Sequence, residues 1–266
     1  MRLVEHNLDL IEFELNVKLT NKSTLTQRIS ITNDKPITFT TKCNWNESHK
    51  LLKVHFTPTI VNDNAIYDIQ YGHVQRPTHR NTSWDIAKFE VMGHKYMALQ
   101  EYKYTVGLLT NNKYGYSCLG REMGISLLRS PKAPDANCDM GDHAFNYGFV
   151  GYGSRDLAEL NRLAMVFNHP LTTLEGTWKR DLKGLVGLEG DTNIQLDTVK
   201  IGEKSDKYVV LRLYEGCGGQ GSVKLDIQFE YKEIWESNGL EDLVGKGKLE
   251  LEFGVFEVKT IVVELK

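Results

Sequence analysis

Hydrophobic and polar residues alternate with a period of two over much of this chain. Phe13, Leu15, Val17 and Leu19 are interleaved with Glu12, Glu14, Asn16 and Lys18. Ile37, Phe39, Cys43 and Trp45 share one parity, as do Leu52, Val54 and Phe56; Tyr67, Ile69 and Tyr71 follow, then Phe145, Tyr147 and Phe149. Such alternation describes strands with one face in a core and one face wet. Turn-forming clusters separate the runs: TNDKP at 32–36, VNDN at 61–64 and TNNKYG at 110–115. Helical patterning is scarce, and DLAELNRLAMVF at 156–167 predicts one short helix at most.

Residues 176–194, GTWKRDLKGLVGLEGDTNI, carry many charges and glycines and read as a linker or crossing segment. Alternation resumes at Val209, Leu211 and Leu213, at Val223 through Tyr231, and at Leu249, Leu251 and Phe253; FEVKTIVVELK closes the chain as a strand. The pattern predicts an all-β protein: a large antiparallel sandwich over residues 1–178, then 179–266 as a linker plus a terminal β-sandwich.

The chain has 266 residues, 41% of them hydrophobic, enough for a substantial core. Its 32 basic and 35 acidic residues are well mixed and leave a net charge of −3. That balance offers no footprint for nucleic acid or anionic lipid, and no apolar run has the length of a membrane span. The opening MRLVEHNLDLIEFELNVKL has charges throughout and no signal-peptide core. A strand that starts almost at the first residue points to a fragment of a longer chain. Cys43, Cys118, Cys138 and Cys217 are far apart without CxxC spacing. They read as reduced cysteines of a cytosolic-type protein.

Two stretches concentrate chemistry. GHVQRPTHRNTSWD, 72–85, holds two histidines, two arginines, a tryptophan and an aspartate, and reads as a polar loop. His73 and His79 lie six apart without a helical HExxH pattern, which does not make a zinc site. Arg76 and Arg80 offer forked donors for carboxylates or sugar hydroxyls, and Trp84 suits either a sugar face or a core. Against direct ligand contact stands a loop whose polar groups satisfy one another. LLRSPKAPDANCDMGDH, 127–143, has two prolines and cannot be a central strand. Asp139 and Asp142 there are candidates for a glycosidic carboxylate pair, although their separation is open. YEGCGGQGS lacks the GxxxxGK[ST] pattern and reads as a tight turn rather than a phosphate loop.

The runs IQYGHVQRPTHRNTSWDIAKFEV, NNKYGYSCLG, SLLRSPKAPDANCDMGDHAFNYGF and LNRLAMVFNHPL, with the later VLRLYEG and VFEVKTIVVEL, resemble the C-terminal region of cytosolic- or vacuolar-type α-mannosidases of glycoside hydrolase family 38. The resemblance runs over nearly the whole chain. It implies that residues 1–178 form a mutarotase-like supersandwich and that the catalytic barrel, the nucleophile and the zinc ligands lie upstream. The chain alone is then expected to be inactive, with no catalytic residue and no cofactor of its own; zinc belongs to the full-length enzyme. Its implied partners are that barrel and a mannose-containing oligosaccharide, not nucleic acid or membrane, in cytoplasm or vacuole. The resemblance carries His73, Arg76, His79, Arg80, Asn81 and Asp85 as substrate-edge or domain-interface residues. It carries Arg129, Lys132, Asp135, Asp139 and His143 likewise, from a loop that approaches the barrel. Gly254-Val255-Phe256 stands where the family has proline before phenylalanine, which predicts a looser final turn.

Two other readings compete. One is a standalone carbohydrate-binding module. The other is a mutarotase-like epimerase, which needs an acid–base pair such as His73 or His143 with Glu90 or Glu122.

Overall fold

Alternating segments become strands because each buries one face, wets the other and spends its backbone groups in ladder hydrogen bonds. A computed structural model describes residues 1–33, 36–177 and 184–266. The expected turn at 32–36 and the expected linker at 176–194 fall partly outside the described residues. In chain order the strands are β1 (Arg2–His6), β2 (Leu10–Lys18), β3 (Thr24–Thr32), β4 (Ile37–Trp45), β5 (Leu51–Phe56), β6 (Asn64–Ile69) and β7 (Gly72–Pro77). Helix α1 (Ser83–Ala87) precedes β8 (Val91–Met92), β9 (Tyr96–Gln100), β10 (Thr105–Thr110), β11 (Gly115–Leu119), β12 (Glu122–Arg129) and β13 (Gly141–Tyr152). Helix α2 (Leu157–Asn168) is followed by β14 (Val186–Gly190), β15 (Ile194–Ile201), β16 (Tyr208–Glu215), β17 (Gly221–Ile227), β18 (Tyr231–Ser237), β19 (Leu243–Lys246), β20 (Glu250–Phe253) and β21 (Val258–Leu265).

The chain forms two units, Met1–Ile69 with Val74–Leu171, and Gln70–His73 with Thr172–Lys266. The fold class is all-β: an antiparallel supersandwich of the mutarotase-like kind, and a smaller β-sandwich. In the first, a nine-stranded sheet ordered β1-β2-β3-β4-β13-β10-β9-β6-β7 faces a four-stranded sheet ordered β5-β12-β11-β8. Register puts Tyr147 of β13 opposite Phe39 of β4, and the two rings stack at 4.8 Å. Phe56 of β5 stacks on Phe149 of β13, also at 4.8 Å, which carries the small sheet onto the large one.

Strands β9 and β10 are buried at every position. Their sequences, YMALQ and TVGLLT, have no wet parity, and on β10 helix α2 covers the face that would otherwise meet water. The helix turns Leu157, Leu160, Asn161 and Ala164 inward, at the spacing of one helical face. Gly107 permits the contact: a Cβ there would lie 2.6 Å from Leu160 Cδ1. Asp156 caps the helix by accepting from the Ala158 N–H at 2.9 Å. No helix among the described residues is long and apolar enough to cross a membrane.

In the smaller unit, a three-stranded sheet ordered β14-β17-β20 and a five-stranded sheet ordered β15-β16-β21-β18-β19 enclose one core. Leu211 and Leu213 of β16, Val223 and Leu225 of β17, Leu251 and Phe253 of β20, and Ile261 and Val263 of β21 fill it. Each fully buried side chain of this size contributes about 1.5–3 kcal/mol.

Candidate functional site

The stretch 72–85 is not one loop. It begins as β7 and ends as α1. The strand was hidden because Arg76 takes the inward parity after Gly72 and Val74. Its apolar stem packs as a hydrophobe would, and its guanidinium lies over the buried Tyr67 ring, 4.8 Å from the centroid. Helix α1 starts with a capping box. Thr82 Oγ1 accepts from the Asp85 N–H at 3.2 Å, and Asp85 Oδ2 accepts from the Thr82 N–H at 3.1 Å and its hydroxyl at 2.8 Å. The Thr82-x-x-Asp85 spacing was the legible signal for it. The Thr82 hydroxyl, foremost, holds the Asp85 carboxyl below its ordinary range.

A cavity of about 20 Å³ opens beside Arg76, with His79, Arg80, Asp85 and Lys88 in its wall. His79 Nδ1 stands 3.8 Å from Asp85 Oδ2. Arg76 Nη1 is buried and has no hydrogen-bond partner among the described residues. Burial lowers the pKa of this guanidinium. Arg80 and Asn81 are exposed. His73 has partners of its own: its Nδ1 lies 3.3 Å from the Gly216 carbonyl oxygen, and its ring meets Phe256 edge-on at 5.3 Å. Sequence reasoning passed over Lys88 and Tyr67, which carry no motif and join the site only through the fold.

The stretch 127–143 is self-contained. Lys132 Nζ donates to the Ala136 carbonyl at 2.7 Å, and Asp135 Oδ1 accepts from the Asn137 N–H at 2.8 Å. Asp139, at φ 56°, accepts the Arg129 N–H on Oδ2 at 2.7 Å, and its own carbonyl lies 2.8 Å from His143 Nε2. Buried Ser130 takes the Trp45 indole N–H at 2.9 Å. Asp142 is occupied by Asn44 Nδ2 at 2.7 Å, so Asp139 and Asp142 each serve a separate local bond. The Arg129 side chain stands exposed at the end of β12.

The glutamates weighed for epimerase chemistry have other partners. Glu90 is bound by Lys53 and by the Ser126 hydroxyl, and Glu122 pairs with His55 at 2.9 Å. In the smaller unit, the glycine-rich turn after β16 closes on Glu215. Its carboxylate accepts from Cys217 N–H at 2.8 Å, from Gly218 and Phe256 N–H at 3.0 Å each, and from Asn193 Nδ2 at 2.9 Å. Burial pushes this carboxyl's pKa up, but the Phe256 and Cys217 amides and Asn193 outweigh it and hold the group below its ordinary range. A phosphate-like nest is thus filled by the chain's own anion. The final turn, expected to be loose, is tied through Phe256.

Zinc, which the resemblance implies for the full-length enzyme, does not fit these residues. Among the described residues no three His, Cys, Asp or Glu side chains converge as a metal site, and His73 and His143 each have a carbonyl oxygen beside a ring nitrogen.

The architecture gives the fold first. A crystal structure of an α-mannosidase from Enterococcus faecalis V583 superposes with a TM-score of 0.77 at 14% identity, over 97% of this chain and 33% of that one. Sequence then gives the family. Residues 4–137 match the model of the glycosyl hydrolases family 38 C-terminal domain, and residues 193–261 that of the family 38 C-terminal beta sandwich domain. The chain belongs to glycosyl hydrolase family 38, as a C-terminal region of its α-mannosidases. It is 41% identical to alpha-mannosidase G of Dictyostelium discoideum over 86% of its length and 22% of that protein. It is 36% identical to human alpha-mannosidase 2C1 over 94% of its length and 25% of that protein. The chain therefore spans about a quarter of these relatives.

Proposed function

We propose that this chain is the non-catalytic C-terminal β region of a longer α-mannosidase, and that it supports and edges a sugar-cleaving centre located elsewhere in the polypeptide. The single observation that carries this reading is the match to the family's C-terminal domains in relatives named α-mannosidases, of which the chain spans only about a quarter. The relatives' reaction, removal of α-linked mannose, needs an acid and a second carboxylate across the scissile bond. In the described residues, the carboxylates at 127–143 are spent on loop structure and Glu215 on a turn, which supports a scaffold. Zinc then comes from residues outside this chain. Arg129, exposed at a strand end, is the side chain we assign to reaching a sugar or the catalytic domain. The purified chain, given an aryl α-mannoside and added zinc, is expected to show no turnover above background; clear turnover overturns the reading. In the longer enzyme, Arg129→Ala is expected to lower kcat/KM while Tm stays constant; unchanged kinetics remove Arg129 from the edge.

A further inference from the structure

The unsatisfied donor at Arg76 defines a site with chemistry of its own. A buried guanidinium nitrogen without an acceptor is costly, because burial removes its water and nothing replaces it. Here Arg76 Nη1 is that nitrogen, and the ring of Tyr67 holds its fork in place at 4.8 Å. The cavity beside it, of about 20 Å³, is lined by Arg80 and Lys88 as well. Among the described residues Asp85 is the only carboxylate in that wall, and its Oδ2 is already spent on the Thr82 N–H and hydroxyl. With Arg76, Arg80 and Lys88 against Asp85, the lining is net positive. A cavity of that size takes one water or one oxygen-bearing tip and excludes a hexose ring. A planar fork in a positive, narrow setting suits a carboxylate.

The surroundings say what carries that carboxylate. Trp84, Ile86 and Phe89 are 77%, 57% and 63% exposed, and α1 has no buried residue. A small free acid would leave these side chains in water, whereas a protein surface would cover them. Tryptophan and arginine are both enriched at interface centres.

We propose that the Arg76 cavity is a carboxylate-binding site, filled by an Asp or Glu side chain of a protein surface that packs over Trp84, Ile86 and Phe89. If the reading above holds, that surface belongs to the rest of the same polypeptide; the site itself does not depend on it.

The test is an NMR titration of the 266-residue chain, following the Arg76 side-chain N–H signals and the Trp84 indole. Acetate is expected to produce saturable shifts at Arg76, and neutral acetamide none. Arg76→Met, followed at the backbone N–H signals of His79 and Arg80, which also line the cavity, should abolish the acetate shifts that the parent chain shows there. Because that variant removes a buried group, the exposed pair Arg80→Gln/Lys88→Gln provides a second measure and should weaken acetate several-fold. Shifts that stay linear, or that persist unchanged in these variants, mean that the cavity holds only water and overturn the site. For the source, N-acetyl-Leu-Glu-Leu-amide should bind at least about fivefold more tightly than acetate and move the Trp84 indole, since it adds apolar contact. The Leu-Gln-Leu analogue should do neither. Equal affinity for peptide and acetate with Trp84 unmoved identifies a free acid as the occupant and overturns the protein-borne assignment. Neither readout involves turnover, so mannosidase activity found in the isolated chain would defeat the scaffold reading and leave this one standing.

Discussion

At the turn after β16, three backbone amides and an asparagine converge on a point, and the chain supplies the anion they need in the carboxylate of Glu215. At Arg76, cationic side chains converge on a cavity, and the one carboxylate in its wall has Oδ2 turned to Thr82. The two places resemble each other in donor density and differ in whether the acceptor comes from the same chain. Donor-rich sequence is therefore not in itself a sign of a binding site. GCGGQGS reads as a tight turn and closes on the chain's own carboxylate; the 127–143 stretch reads like a charged edge, and many of its polar groups bond within it. An unfilled, buried donor is the discriminating observation, and it exists only in three dimensions.

The comparison breaks most sharply at Glu215, which is fully buried. Glu215→Ala leaves several donors without an acceptor, and we expect a loss of about 3 kcal/mol or more in the stability of the smaller unit, read from the urea midpoint. A pH series gives an independent check. The folded carboxyl titrates below its ordinary 4.5, so the unfolded chain binds more protons as pH falls through that value. Its contribution is complete above about pH 5 and is lost as pH drops through the lowered folded value. Glu215→Gln should be less stable near neutrality and show a flatter acid limb. An unchanged limb would mean that the amides around Glu215 do not depend on its charge.

Next in size is Asp139, which stands for the self-satisfied loop. Asp139→Ala removes the acceptor for the Arg129 N–H and places alanine at φ 56°. We expect a loss of about 1–2 kcal/mol, with Asp139→Asn recovering most of it because asparagine both accepts and tolerates that backbone. If Asp139→Ala unfolds like the parent chain, the loop's polar groups are not holding it, and their role as a binding edge gains ground.

How far the sequence reaches follows from the same physics. Strands with one wet face, such as β2, β4, β5, β13 and β17, announced themselves by parity. Strands β9 and β10 did not, because they are buried throughout; α2 dries the outer face of β10, and Gly107, the residue that makes room for it, carries no pattern. β7 was masked by an arginine at an inward position. The division of labour inside 72–85 was half legible: Thr82 and Asp85 have capping-box spacing, but nothing in the string of letters distinguishes Arg76, over Tyr67, from Arg80, in water. Lys88 reaches the cavity only because a one-turn helix folds it back. Lys132, Asp135 and His143 each make a local hydrogen bond, which the letters do not foretell, since loop structure and binding draw on the same residue types.

The smallest expected effect carries the most weight. Arg76→Met replaces a buried guanidinium by an unbranched apolar chain that can keep the contact with the Tyr67 ring. Were Arg76 a structural residue like Glu215, its removal would strand a partner and cost several kcal/mol. Its Nη1 has no partner to strand, and the substitution also removes a charge that burial disfavours. We expect the urea midpoint of the isolated chain to stay within about 1 kcal/mol of the parent's, or to rise. A loss beyond about 3 kcal/mol would place Arg76 with Glu215 as a group that its own chain already satisfies, and the contrast between the two sites would be gone.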